Sequence, residues 1–389
     1  MGVESGFWGR KIECKSKNSE IGVGKRLIDV EKKNTYLFLP KIIVMTNQPS
    51  LPNATAGLYN TLCDGLKLSN KQFQMIQGVL PVQSSPEGLY NYIDGIPPKS
   101  VATLYTSNPL NSLNGNMLIV LDQAKYPDSF LAKMAFNNYM NEKYWVNGDV
   151  SVNPIYAPLF ADLFNQVQAG SSATVTFDSS TANSDISTSW AGSNSAAGVG
   201  FWGTSSSSVS QSLNARASSS RITVQITFDK FAYLQVRAGG WFTQGFFTDQ
   251  YKNPSKWVAG QEGWDKVFGD KGSCQNVANQ VLLVNGYSIV TTSHTSYSQE
   301  DFQMIENSSS TNVWPFYTSS SSSQATQSHS YNSDKTITTT TVCKPGSLQI
   351  FGVGVIPTSF AIGGVRAKTR TQELTIDNTI FESAHSRMI

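Results

Sequence analysis

Two stretches of this chain are built on one plan, and that repetition constrains the fold more than any other feature. In Ala173–Phe228, and again in Val281–Val342, an alternating segment enters a Ser/Thr-rich run, meets an aromatic cluster, crosses more serines and leaves as another alternating segment. The clusters are Gly200-Phe201-Trp202-Gly203 and Val313-Trp314-Pro315-Phe316-Tyr317. Apolar and polar residues that alternate have the period of a strand with one wet face, and two such segments joined through a polar run make an antiparallel hairpin. The pattern predicts two long hairpins, at about 173–228 and 281–342, with Phe201, Trp202, Trp314, Phe316 and Tyr317 at their tips. The clearest strand is Arg221–Phe228, where Ile222, Val224, Ile226 and Phe228 share one face and Thr223, Gln225 and Thr227 the other. Upstream, Val209 and Leu213 fall on odd numbers, so a bulge or twist is expected to switch the face between them and Ile222.

Before Gly170 the periods differ. A charged arm is expected over 1–34, followed by buried strands at Tyr36–Leu39 and Ile42–Met45. Leu58, Leu62, Cys63 and Leu66 have helical spacing, and Phe73 and Ile76 suggest a second helix behind a cap at Ser69. Val101–Tyr105 and Met117–Leu121 are apolar runs of strand length. Two amphipathic helices follow, one through Phe130, Leu131, Met134, Phe136, Tyr139 and Met140, the other through Leu159, Phe160, Leu163, Phe164 and Val167. Beyond Gly170 the composition turns to Ser, Thr, Gly and Asn, and helical periodicity is lost except around Trp241. The aromatic connection from Gly239 to Trp264 is expected to plug the core, and Leu348–Ile356 to form a central strand. The expected fold is α+β and β-dominated, with an N-terminal α/β lobe over 1–170 and a β-rich lobe over 171–389 that carries the hairpins.

The chemistry of the chain excludes more than it suggests. Only 14% of the 389 residues are charged and the formal net charge is +2, too weak a field for phosphate tracking, so no nucleic-acid partner is expected. Cys14, Cys63, Cys274 and Cys343 include no C-x-x-C pair and are expected to be buried thiols, with a disulfide such as Cys274 to Cys343 as the alternative. No apolar leader or membrane-length helix stands out, so a chain made in soluble form is expected, either cytoplasmic or released by a non-classical route. His294, His329 and His385 have no metal-ligand spacing, and no G-x-S-x-G elbow selects a nucleophilic serine. Gly198–Gly203 matches G-x-G-x-x-G, but serines follow it where the dinucleotide fingerprint needs a helix. A non-enzymatic protein without cofactor or metal is expected, with a hydrolase as the remotest alternative.

Ser/Thr-rich arms with aromatic tips resemble the inserting hairpins of pore-forming toxins, and the two-hairpin plan is nearer to the perforin-like and gasdermin groups than to single-hairpin aerolysins. The resemblance implies a homo-oligomer whose partner is a lipid membrane. In the first hairpin Ile186 and Trp190 share a face with Thr188, opposite Asp185, Ser187 and Ser189. In the second, Ile289 and Tyr297 share theirs with Thr291, Ser293 and Thr295, and Glu300–Asp301 would have to face a lumen or lie outside the bilayer. The alternative is a self-assembling structural or binding protein with no membrane activity, whose polar strand edges recruit further copies. Both expectations share oligomerisation through hairpin edges.

Overall fold

The computed structural model describes residues 51–81, 86–98, 105, 111–125, 127–139, 155–183, 213, 215–217, 219–258, 263–269, 271–307 and 325–362. The chain divides into two compact units, Met1–Thr46 and Asn47–Ile389, and every described residue lies in the second. The charged arm and the strands expected at Tyr36–Leu39 and Ile42–Met45 fall outside the described residues.

The second unit runs α1 (Leu51–Gly65), β1 (Phe73–Pro81), α2 (Pro86–Asp94), α3 (Leu113–Gln123), α4 (Phe130–Tyr139), β2 (Tyr156–Ala157) and α5 (Phe160–Gln168). It continues through β3 (Ser171–Asp178), β4 (Ile222–Gln235), β5 (Arg237–Ala238), α6 (Gln244–Lys252) and α7 (Gly263–Phe268). The last elements are β6 (Asn276–Ser293), α8 (Gln299–Asn307), β7 (Ala325–Tyr331), β8 (Ile337–Pro357) and α9 (Thr358–Ala361). Among the described residues helix and strand contribute about equally, so the fold is mixed α+β and these residues are not β-dominated. Gly170 lies inside this unit, and elements on both sides of it share one sheet and one hydrophobic core.

That sheet has the order β1-β8-β6-β4-β3, every pairing antiparallel, with β7 on the outer side of β8. The strands β3, β4, β6 and β8 therefore form a meander. Ile222, Val224, Ile226 and Phe228 of β4 are buried as their alternation requires, and each such side chain contributes roughly 1.5–3 kcal/mol. α1 lies against this face: a Cβ on Gly65 would come within 2.8 Å of Val175 in β3.

The central strand β6 changes character part-way along. From Val281 to Tyr287 every residue is buried, whereas from Ser288 to Ser293 burial alternates. The change falls at a register shift between Asn285 and Tyr287, where Gly286 has φ +80° and a Cβ would meet Asp229 Oδ2 at 2.3 Å. Only glycine satisfies both conditions. Towards Ser293 the sheet keeps one polar, accessible face of aligned rows, among them Thr176–Gln225–Val290–Thr340–Ser328 and Thr174–Thr227–Ser288–Val342–Thr326.

Several expectations for the N-terminal part require correction. Phe73 and Ile76 belong to β1, not to a helix, because β1 pairs with the buried end of β8. Met117–Leu121 is helical: Ser112 caps α3 by accepting from the Gly115 amide at 3.1 Å, and the buried Asp94 carboxylate accepts the Asn114 amide at 3.0 Å. A short apolar run has no period of its own, and the cap decides. Of Val101–Tyr105 only Tyr105 is described, in an isolated parallel bridge to Ile76. α4 forms where expected and buries Phe136 as expected, together with Ala132, but leaves Phe130, Leu131 and Met134 exposed. The aromatic connection does plug the core, with Trp241, Phe247 and Trp257 buried.

Candidate functional site at the connection end of the meander

Both Ser/Thr-rich connections leave the sheet at the same end and the same level. Asp178 lies opposite Thr223, and Ile222, Ser293 and Ile337 stand side by side across β4, β6 and β8. By these bounds the connections are 179–221 and 294–336, each 43 residues long. The strand pairs expected at the bases of the two hairpins are thus present, as β3 with β4 and β6 with β8. The expected tip residues Phe201, Trp202, Trp314, Phe316 and Tyr317 lie outside the described residues.

Among the described residues of the connections, Ala325–Tyr331 is extended as expected, but two other segments depart from the expected ribbons. Leu213 and residues 215–217 are helical, so no strand face-switch operates there, and 299–307 forms α8. The cause is local. Ser298 Oγ accepts the Asp301 amide at 3.1 Å while Asp301 Oδ2 accepts the Ser298 amide at 2.9 Å, a reciprocal cap of the S-x-x-D type. Glu300 and Asp301, which interrupt a strand, sit well in the positive first turn of a helix. That motif was readable in the sequence and identifies the helix.

The two connections are clasped to each other by a small core of their own. Leu213 and Ala217 from the first pack with Tyr297 and Ile305 from the second and with Ile337 at the start of β8, apart from the main core. Arg216 reaches the nearly buried Asp301 at 2.9 Å. Ser220 Oγ and Ser293 Oγ are 2.8 Å apart, and Ser293 Oγ and Tyr297 Oη 2.7 Å.

At the base of the first connection Arg221 Nε donates to both oxygens of Asp178 at 3.0 Å, and Ser180 donates to the same carboxylate through its amide (3.0 Å) and its hydroxyl (2.7 Å). The Arg221 guanidinium holds the Asp178 carboxyl well below the usual carboxylate range. A depressed folded value means the pair contributes above the ordinary carboxylate pKa and is lost as pH falls through the depressed one. Arg221→Gln is therefore expected to open Ser179–Ala182 to amide exchange already near about pH 4, where the parent stays closed. Equal exchange in both proteins at that pH would refute the assignment.

Among the described residues at this end, the two histidines are engaged with neighbouring threonines. His294 Nε2 lies 2.9 Å from Thr223 Oγ1 and His329 Nδ1 3.0 Å from Thr339 Oγ1, both within the sheet's own hydrogen bonding. A cavity of about 470 Å³ lies at the opposite end, its apolar wall including Val236, Phe242, Val277 and Ile356, with Arg237, Gln244, Asn279 and Thr358 as polar residues. Cys63, Cys274 and Cys343 are buried free thiols, and burial pushes Cys63 and Cys274 up to about 12. Among the described residues no group of three His, Cys, Asp or Glu side chains could hold a metal ion, and no helix is long and apolar enough to cross a membrane. Comparison with family models, curated proteins and solved structures finds no match to this chain.

Proposed function

We propose that this chain is an oligomerising, non-enzymatic protein that inserts its two connections into a lipid membrane as paired β-hairpins. The observation that carries the proposal is the departure of two connections of equal length from one end of one four-stranded meander. Continued as strands, β3–β4 and β6–β8 would run on side by side with equal reach. About twenty residues per arm at about 3.3 Å each reach roughly 65 Å, well over the ~30 Å hydrocarbon core. Backbone groups in lipid must all be paired, so hairpins can cross only as part of a closed barrel contributed by several copies. The clasp through Leu213, Ala217, Tyr297 and Ile305 holds the described parts of the two connections to each other until then. A self-assembling protein without membrane activity is the second reading, favoured by β3, which among the described residues ends the sheet as an edge strand with Ser171, Ser172, Thr174 and Thr176 exposed.

Purified protein is expected to release a small dye from liposomes and to form rings or arcs visible on them by electron microscopy. Intact liposomes at micromolar protein across several lipid mixtures would eliminate the membrane proposal, and rings or fibres formed without lipid would leave the assembly reading in its place.

A further inference from the structure

The strand β7 shares the sheet without continuing the meander. It belongs to the second connection, turns back through Asn332–Thr336 and lies along the outer side of β8, from Ala325 opposite Cys343 to Tyr331 opposite Ile337. Asp334 accepts from the Thr336 amide and hydroxyl at 3.1 and 2.7 Å, and Lys335 takes φ +65°, which together hold the turn. The rest of that side of β8 is taken by β1, at Gln349–Gly354.

Following the pairings across the sheet shows what β7 resembles. Cys343 stands level with Tyr287, Phe228 and Ala173, and Thr338 level with Thr292, Thr223 and Asp178. The part of β8 that β7 covers is therefore level with β3, at the far edge of the same sheet. Successive strands alternate in direction, so β3 and β7 run the same way. They also match residue by residue: Ala173 with Ala325, Thr174 with Thr326, Val175 with Gln327, Thr176 with Ser328, Phe177 with His329 and Asp178 with Ser330. At both strands the hydroxyl residues Thr174, Thr176, Thr326 and Ser328 are exposed, while the intervening side chains turn to the other, more buried face.

We infer that β7 is an internal stand-in for β3 of a second copy of this chain, and that copies join by replacing β7 with the partner's β3 along Ile337–Cys343 of β8. The replacement keeps every neighbour antiparallel, so one meander runs into the next without a break in alternation. It also pairs the outer side of β3, which carries no strand among the described residues, and unpaired strand edges are a general driving force for strand addition. The same exchange frees β7 to straighten through Asn332–Thr336 and lengthen β8 in the direction of the connection. Joining a neighbour and extending the second hairpin are then one movement. The inference rests on the oligomer-forming part of the function proposed above, not on its membrane part.

The test is a chain carrying Thr176→Cys and Thr340→Cys. These positions occupy one row of the exposed face on β3 and β8, three strand spacings or about 14 Å apart within a copy, so a disulfide cannot form inside one chain. Between copies they would be direct neighbours. Oxidation of the assembled protein, on liposomes or at high concentration, is expected to give a ladder of dimers and larger species on denaturing gels. The next row supplies an independent pair, Thr174→Cys with Val342→Cys, and the mismatched pair Thr174→Cys with Thr338→Cys is expected to give no ladder. Absence of a ladder from both matched pairs, whether the protein is oligomeric or strictly monomeric, overturns the inference. Dye release without a matched ladder keeps the membrane proposal and removes this interface. A matched ladder without dye release keeps the interface and removes the membrane proposal.

Discussion

A disulfide between β7 and β8, introduced as Ser328→Cys with Thr340→Cys, is expected to abolish dye release while the protein stays folded. The two residues face each other across the strands on the polar side of the sheet. Directly opposed residues bring their Cβ atoms to about 4.5–5.5 Å, close enough for a bridge after a small adjustment. The bridge closes a short loop around Asn332–Thr336 and so keeps β7 folded back. Residues 325–336 then cannot become the extension of β8 that the second hairpin requires, and the reach of that arm is lost. Constraint of the unfolded chain would add about 2–3 kcal/mol to stability, so the unfolding midpoint is expected to rise or stay put. Release should return fully when reductant is added. Comparable release rates from the oxidised and reduced protein would show that β7 need not move, and the extension of the second connection would have to be abandoned.

Phe228→Ala is expected to cost about 3–5 kcal/mol, read as a lowered denaturant midpoint at unchanged slope. Phe228 is fully buried at the middle of β4, with Phe351 of β8 edge-on at 5.2 Å and 89° and Phe231 tilted at 6.0 Å. Aromatic pairs of this kind add about 0.5–1.5 kcal/mol beyond area burial, so a double-mutant cycle with Phe351 should show coupling in that range. Against a typical total of about 5–15 kcal/mol, one such change removes a large share of the stability. A cost below about 1 kcal/mol would mean that the core does not sit on this face of the sheet.

Where two residues alternate within one strand, the chain reports its own structure. Ile222 to Phe228 were legible because a half-buried strand imposes a period of two on its own residues. The base of each hairpin was legible for the same reason, as were α1, whose Leu58 and Leu62 stand four residues apart, and α5, whose buried Leu163 and Val167 do the same. Met117–Leu121 was not, because five apolar residues in succession fit a buried strand and a buried helix equally well. The tie was broken by Ser112 and by Asp94, a carboxylate contributed from another helix. α8 was legible and passed over: Ser298 and Asp301 spell its cap, but the serines around them imitate a strand.

The sequence by itself determined that two matched, low-charge, hydroxyl-rich connections would be carried on alternating strands, since that pattern depends only on neighbours along the chain. Tertiary structure alone decided that the strands form one meander, that both connections leave it at one level, that they clasp each other through Arg216 and Asp301, and that β7 lies where β3 of another copy could lie. Pairing register and partner choice depend on groups far apart along the chain, such as Ile222 with Ser293 in the meander and Phe73 with Gly354 between β1 and β8. No local period encodes such distances, and only closing the sheet around its core fixes them.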